Sequence, residues 1–385
     1  MTLSLPPLSL YVHLPWCVRK CPYCDFNSHT RDGALPEQDY LRALLHDLDG
    51  ELADAAGRPL QSVFFGGGTP SLLPAGFYHA FMDALAAKAT LADDLEVTLE
   101  ANPGTVEQDR FDGYRRAGIN RLSIGVQSFN DQHLRALGRI HGGNEARRAI
   151  DAARRAGFDR INTDLMHALP EQSAEQAVQD LRTALECGAS HLSWYELTVE
   201  PNTLFWRAPP PQPEDDQRAD IEDAGFALLA EAGFQRYEVS AFALAGEACR
   251  HNLNYWQFGD YLAIGAGAHG KLSEPASDRI LRYRKTRLPA HYLADDGQCR
   301  RDVAQIAAAE RPFEFMLNAL RLCEGVPAAL FPARTGLPLA VLDGVMAPLV
   351  QRGLMHPVSS QRLACTPLGL RFLNQVLDAF QDIGL

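Results

Sequence analysis

Residues 17–24 read Cys17-Val18-Arg19-Lys20-Cys21-Pro22-Tyr23-Cys24, which sets three cysteines in the pattern C-x3-C-x2-C. They follow the short apolar run from Leu10 to Pro15, which has the pattern of a strand. A loop this compact places three thiolates around one metal centre, and thiolates are soft ligands that select zinc or iron–sulfur clusters. A cubane 4Fe–4S cluster has four irons, so three cysteines leave one iron open to a chelating small molecule. Zinc needs a fourth protein ligand, for which His13 and His29 are the candidates. It also usually comes with a second pair of ligands farther along, which the sequence does not show. The third reading is structural, three cysteines buried or clustered by chance.

The rest of the chain sets bounds on these readings. Its 385 residues, 46% hydrophobic and 22% charged, suit one large globular domain or two. A net charge of −12 argues against nucleic acid as a partner, because phosphate binding needs a basic surface. The first residues lack the basic and apolar regions of a secretory signal, and no apolar run reaches the ~18 residues that span a bilayer. Of eight cysteines, Cys187, Cys249, Cys299, Cys323 and Cys365 are scattered, which is not a disulfide framework. A cytoplasmic location is expected.

Short apolar runs alternate with longer helical patterns, the signal of βα units and a parallel sheet. Strands are expected at Ser9–Leu14, Ser62–Phe65, Glu96–Glu100, Arg121–Val126, Arg160–Leu165 and His191–Leu197. Helices are expected at Glu37–Ala56, Ala75–Ala89, Glu107–Ala117, Asn144–Ala156 and Ala174–Cys187. Six such units predict an α/β fold, an open (β/α)6 partial TIM-type barrel. The polar and glycine-rich residues follow the strands, where parallel α/β folds carry their sites.

With Tyr23 before its last cysteine, the C-x3-C-x2-C loop resembles the radical S-adenosylmethionine (SAM) superfamily. The wider context, Tyr11-Val12-His13-Leu14-Pro15-Trp16 before the loop and Asp25-Phe26-Asn27-Ser28 after it, resembles one branch. That branch holds the oxygen-independent coproporphyrinogen III oxidases and the HemW-type heme chaperones. The resemblance implies a 4Fe–4S cluster on Cys17, Cys21 and Cys24, with SAM chelating the open iron. It implies an electron donor that reduces the cluster, so that SAM is cleaved to a deoxyadenosyl radical. Gly66-Gly67-Gly68-Thr69-Pro70 follows the second strand. By itself it reads as a tight turn; by resemblance it is the SAM-binding glycine motif. The same resemblance places Tyr11, Tyr23, Gly67, Gly68, Thr69, Glu100, Gln127, Arg139 and Asp164 at SAM-contacting positions. Thr198 is implied to flank the adenine through its backbone. Asp25 and Asn27 are expected to shape the loop, and His167 to stand behind the site.

Beyond the stiff stretch Ala208–Pro213 come an acidic helix at Glu214–Ala232 and a strand at Gln235–Phe242. His251-Asn252-Leu253-Asn254-Tyr255-Trp256 then matches a His-Asn-x-x-Tyr-Trp motif associated with the heme-binding members of the branch. Histidine is a common ligand of heme iron. His251 is therefore the expected ligand, with Tyr255 and Trp256 against the porphyrin face; the ordinary alternative is a satisfied core cluster. Gly265-Ala266-Gly267-Ala268-His269-Gly270 matches G-x-G-x-x-G after a strand-like Tyr261–Ile264. It does not open a helix, so it is not read as a dinucleotide site. By resemblance it closes the cofactor pocket from the far side. Arg279, Arg282, Arg284, Lys285 and Arg287 make a basic stretch, either a solvated face or a contact for heme propionates or an anionic membrane surface.

Helices at Ala304–Leu322, Pro338–Gln351 and Leu368–Phe380, with a hairpin of Leu354–Pro357 and Leu363–Thr366, resemble the branch's winged-helix-like C-terminal domain. Three units are expected: 1–235 as the barrel, 236–300 as its extension with the heme motif and glycine loop, and 301–385 as the C-terminal domain. Oxidase and chaperone are separated by three features. The oxidases carry a further cysteine two residues after the third, where this chain has Phe26. They have a longer segment before the loop, where this chain has sixteen residues. The His251–Trp256 motif belongs to the heme-binding side. All three favour a chaperone that passes heme to acceptor proteins, over an enzyme that decarboxylates coproporphyrinogen III.

Overall fold

Leucine, valine and isoleucine dominate the short runs, and they lie side by side as a parallel sheet buried on both faces. The computed structural model describes residues 3–104, 108–295, 300–358 and 361–381; Glu107 and Cys299 lie outside the described residues. Strands β1 (Leu8–Leu14), β2 (Leu60–Gly67), β3 (Leu91–Ala101), β4 (Arg121–Gln127), β5 (Arg160–His167) and β6 (His191–Glu196) pair in parallel, each with the next. Helices α1 (Glu37–Leu52), α2 (Ala75–Lys88), α3 (Gln108–Arg116), α4 (Gly143–Arg155) and α5 (Ala174–Glu186) form the crossovers. Helix α5 starts where Ser173 and Gln176 close a capping box, as the sequence signal requires. The six expected strands and five expected helices are thus present, with small shifts at their ends.

The sheet continues past the six units. After α6 (Asp215–Glu231) come β7 (Gln235–Glu238) and β8 (Ala241–Ala243). They form an antiparallel hairpin where one strand was expected, because the chain turns at Val239 and Ser240, the Ser240 amide bonding the Glu238 carboxylate. The His251 motif is a short helix, α7 (Arg250–Trp256). Strand β9 (Asp260–Ile264) returns parallel to β1 on its free side. Strands β10 (His269–Glu274), β11 (Arg279–Lys285) and β12 (Arg300–Gln305) follow antiparallel. The order across all twelve strands is β12-β11-β10-β9-β1-β2-β3-β4-β5-β6-β8-β7, an open sheet with two edges.

The expected helix from Ala304 starts only at Arg311, as α8 (Arg311–Ala319), with a proline in its first turn. The residues before it pair with β11 instead. A second apolar cluster, including Phe315, Met316, Phe331, Met346 and Leu363, fills the C-terminal part and takes in Leu3, Phe258 and Ile280. It is thereby packed onto the β9–β11 side of the sheet. The expected hairpin segments meet at a Met355–Cys365 bridge. Among the described residues no helix is long and apolar enough to cross a membrane.

The basic stretch is the strand β11, and most of its charge is neutralised. Arg279 pairs with Glu274, Arg282 with Glu314, and Arg284 with Asp302. Lys285 is buried; its Nζ meets the Asp47 carboxylate and lies 2.6 Å from Glu51 Oε1, both on α1. Arg300 adds a contact of 2.7 Å to Glu51, and the Tyr292 hydroxyl bonds Asp47 at 2.7 Å. Burial still pushes Asp47 up to about 6, against the pull of Lys285. Losing the cation leaves Asp47 buried and uncompensated, and Glu51 with Arg300 alone, which costs about 3–5 kcal/mol. Lys285→Met is therefore expected to lower the urea midpoint of unfolding by that amount in free energy, while Arg279→Met at the surface changes it by less than about 1 kcal/mol.

Candidate cofactor site and its cavity

The cysteine loop is pinned at both ends. Trp16–Cys17 pairs in parallel with His29–Thr30, and the Arg31 amide bonds the Cys17 carbonyl at 3.0 Å. Between them a turn brings the Cys24 amide within 3.1 Å of the Cys21 carbonyl. Each thiol has its own donor. Thr69 Oγ1 lies 3.5 Å from Cys17 Sγ, Arg139 Nη1 3.6 Å from Cys21 Sγ, and Ser28 Oγ 3.7 Å from Cys24 Sγ. Burial raises the Cys17 and Cys24 thiols above their ordinary range, against the pull of Thr69 and Ser28. Among the described residues no three His, Cys, Asp or Glu side chains converge as a single small ion would need. Of the histidines that zinc would require, His13 meets the Tyr11 hydroxyl at 3.0 Å and the Asn27 carbonyl at 2.9 Å with its two nitrogens, while His29 turns to the backbone of Arg287 and keeps its Nε2 buried without a partner. Three thiols with no fourth ligand fit a cluster with one open iron.

The glycine motif explains itself sterically. A Cβ on Gly68 would stand 2.5 Å from the Trp16 carbonyl oxygen, so only glycine lets the end of β2 lie against the cysteine loop. The Gly68 amide bonds the Leu14 carbonyl at 2.8 Å, and the Thr69 amide bonds that of Trp16 at 2.7 Å. Next along the sheet, Glu100 at the end of β3 accepts the Gly67 amide at 3.0 Å. Burial, then the charge of Asp164, pushes Glu100 up to about 8. Asp164 on β5 is held by Ser123 and Asn162, each at 2.8 Å. Gln127 closes β4 with φ +69° and accepts the Tyr195 hydroxyl at 2.8 Å.

Arg139 ties these pieces together. Its Nη2 donates to Asn102 Oδ1 and to the Gly125 carbonyl, both at 2.7 Å, while Nη1 faces Cys21 and, at 3.5 Å, the Tyr23 hydroxyl. Its Nε is buried without a partner, a donor left over for a ligand. Tyr11, Tyr23, Gly67, Gly68, Thr69, Glu100, Gln127, Arg139 and Asp164 thus sit at the C-terminal ends of β1 to β5 or on the loops that leave them. Thr198 lies just beyond β6 and is exposed. His167 is buried against Trp194, with ring centroids 4.3 Å apart. Sequence reasoning passed over Asn102 and Tyr195 as ligand-holding partners, although both lie in stretches it singled out.

A cavity of about 460 Å³ opens beside the loop, within the size range of small-molecule sites. Tyr11, Gly67 and Glu100 form one wall, and Tyr255, Trp256 and Tyr261 another. Phe26, 60% exposed, stands at its border. Tyr255 meets Tyr261 edge-on, with centroids 4.4 Å apart. The Trp256 indole N–H is buried without a partner.

His251 lies behind the wall and is not among the residues that line the cavity. Both nitrogens are committed, Nδ1 to Ser62 Oγ at 2.8 Å and Nε2 to the Tyr255 hydroxyl at 2.9 Å. The ring is buried and packs tilted against Phe64, and burial holds it neutral at about 3. It reaches the cavity through Tyr255 and Tyr11. The sequence missed Tyr261, His269 and Asn318 as cavity-wall residues, because Tyr261 lies in a run read only as a strand, His269 in a loop read through its glycines, and Asn318 on a helix without a motif.

Comparisons agree with this geometry. The sequence profile of the radical SAM superfamily matches residues 11–184, and that of the HemN C-terminal domain matches residues 306–372. The heme chaperone HemW of Escherichia coli is 50% identical over 377 residues, which cover 98% of this chain and 99% of that protein. HemW of Bacillus subtilis is 33% identical, covering 97% and 98% of the two chains. The solved structure of the coproporphyrinogen III oxidase HemN from Escherichia coli superposes with a TM-score of 0.80 at 22% identity, over 98% of this chain and 90% of that one, which establishes the shared fold.

The raised Glu100 has a measurable consequence. It binds a proton in the folded protein that it releases near 4.5 when unfolded, so stability falls as pH rises from about 4.5 through about 8. Glu100→Gln is expected to flatten this fall, by at most about 1.4 kcal/mol per pH unit. Urea midpoints of the ligand-free protein across that window check it.

Proposed function

Because this chain belongs to the radical SAM superfamily and, within it, to the HemW heme chaperones, we propose that it binds heme and hands it to acceptor proteins. The observation that carries this reading is the aromatic cavity beside the cysteine loop in a chain 50% identical, end to end, to a heme chaperone. Radical SAM membership implies a 4Fe–4S cluster and SAM. Cys17, Cys21 and Cys24 would hold the cluster, which with SAM supplies one-electron cleavage of the sulfonium. The chain's own residues bind and orient. Arg139 and Thr69 direct N–H and O–H donors at sulfur. Glu100, Asp164 and Gln127 offer acceptors to the hydroxyls of a nucleoside, and Gly67 and Gly68 let it lie against the backbone.

Heme is the cargo. The walls of Tyr255, Trp256 and Tyr261 give a porphyrin flat apolar contact with few polar groups to desolvate. Arg287 has no carboxylate partner among the described residues, although its Nε reaches Asn27 Oδ1 at 3.3 Å on the cavity border. That leaves its charge for a propionate. One such cation is too little for electrostatic membrane attachment, which takes several. We place the protein in the cytoplasm, reduced by an electron donor. We divide it into a barrel at 1–235, an extension at 236–300 and a C-terminal domain. That domain covers 301–385 and carries its own apolar cluster.

The oxidase reading has Phe26 against it. A bulky exposed phenyl stands where the oxidases carry a fourth cysteine. Cluster-reconstituted protein, titrated anaerobically with heme, is expected to bind it stoichiometrically and release it to an apo-acceptor, and to leave coproporphyrinogen III intact. Cys21→Ala is expected to lose the cluster absorbance and keep its unfolding transition. Turnover of coproporphyrinogen with only weak heme binding would make the protein an oxidase.

A further inference from the structure

We propose that His191, acting through Asn162, is a positioning residue for the nucleoside end of the cofactor: it holds the Asn162 amide so that Asp164 is a fixed acceptor for a ribose hydroxyl. The inference rests on the reading that Asp164 accepts from the hydroxyls of a nucleoside.

The sheet register brings these residues together. Ser123 on β4, Asn162 on β5 and His191 on β6 stand opposite one another in one row, and Asp164 and Ser193 in the next. Side chains alternate in face along a strand, so residues 162 and 164 share one face, as do 191 and 193. Ser123, Asn162 and His191 are buried, and buried polar groups are costly unless each is bonded, as each is here.

The hydrogen bonds of the row run in one direction. Asn162 Nδ2 donates to Asp164 Oδ1 and to Ser123 Oγ, both at 2.8 Å. A reversed amide would set its oxygen against the carboxylate. Asn162 Oδ1 therefore faces His191 Nδ1 at 2.7 Å, and the imidazole proton is on Nδ1. Ser193 Oγ gives the same oxygen a longer bond of 3.2 Å. His191 Nε2 is then an acceptor, to which the Tyr237 hydroxyl donates at 2.9 Å. Burial, then the charges of Arg121 and Arg160, hold the imidazole neutral, well below its ordinary range, so it has a single N–H to give. From Tyr237 to Asp164 every donor points the same way, and aligned hydrogen bonds polarise one another.

Both ends of the row are anchored. The Tyr237 carbonyl on β7 accepts the Cys323 amide at 3.1 Å, and its ring packs against the C-terminal apolar cluster. At the other end Asp164 Oδ2 accepts from Ser123 Oγ at 2.8 Å, so both carboxylate oxygens have donors. Glu100, within reach of the Asp164 charge, has the Gly67 amide. The negative charge of the pair therefore stays on Asp164, and an ionised carboxylate is acceptor-only, as a hydroxyl donor requires.

The test is equilibrium dialysis of SAM, and of its 2′,3′-dideoxy analogue, against the cluster-reconstituted full chain. His191→Leu and His191→Asn are compared because the two new side chains have the same shape and only the amide returns an N–H near the place of Nδ1. His191→Leu is expected to bind SAM about tenfold more weakly, and His191→Asn to recover most of that loss. For the dideoxy analogue, wild type and His191→Leu are expected to bind alike, since no hydroxyl is left for Asp164 to accept. Tyr237→Phe keeps the ring and its packing, and is expected to lose about threefold for SAM and nothing for the analogue. Equal losses in His191→Leu and His191→Asn, or equal losses for SAM and the analogue, would make the row purely structural and overturn the inference. SAM binding unchanged in His191→Leu, or in Tyr237→Phe where the variants at 191 do not fold, overturns it as well. A wild type that binds SAM and the dideoxy analogue equally would remove the reading of Asp164 itself.

Discussion

One hydroxyl holds the two loops of the site together. Tyr40 on α1 donates to the His13 carbonyl at 2.8 Å and accepts the Ala266 amide at 2.9 Å, both in the buried core. His13 is the penultimate residue of β1, which leads into the cysteine loop, and Ala266 belongs to the glycine loop that leaves β9. The strands are parallel neighbours, so their ends emerge together, and Tyr40 fixes their spacing. Asn27 repeats the tie farther out, with Nδ2 at 2.9 Å from the carbonyls of both Ala266 and Arg287. On the opposite side the end of β2 bonds Leu14 and Trp16. The cysteine loop is thus clamped from both neighbouring strands. Three thiols on a loop of eight residues would otherwise sample many arrangements, at an entropic cost for every residue ordered on cluster binding.

The helix that carries Tyr40 also carries the buried carboxylates. Asp47 accepts the Gly265 amide at 3.2 Å and the Tyr292 hydroxyl at 2.7 Å, while Lys285 from β11 neutralises it. A buried ion pair of this kind adds little net stability, since desolvation offsets most of its Coulomb energy. Its effect is on register. The carboxylates accept bonds from the glycine loop and from β11 at once, so His269, at the junction of those two, cannot shift relative to the cysteine loop without leaving a charge uncompensated. Cofactor site and cavity wall are therefore parts of one rigid assembly.

Much of this was legible because its causes are local. Ser9 to Leu14 read as a strand through its apolar run, and the cysteines and glycines after β1 and β2 through chemistry and steric need. What stayed hidden depends on partners far away in sequence. Tyr40, Asp47 and Tyr292 look like ordinary residues of amphipathic helices until β9 lies beside β1. Residues 300–305 read as the approach to a helix because edge pairing with β11 leaves no periodic trace in so polar a segment. The antiparallel extension of the sheet was invisible for the same reason.

His251 orders the cavity wall from behind. Ser62 donates its proton to Ser9 Oγ at 2.8 Å, so it must accept from His251, which places the imidazole proton on Nδ1. The other nitrogen, Nε2, is then an acceptor, and the Tyr255 hydroxyl donates to it. A histidine in this state orients a phenol. The Tyr255 ring is fixed from behind by His251 and from the side by Tyr261, each nearly perpendicular to it. An aromatic wall ordered before the cargo arrives loses little side-chain entropy when a porphyrin packs against it. The motif thus contributes the stiffness of the wall.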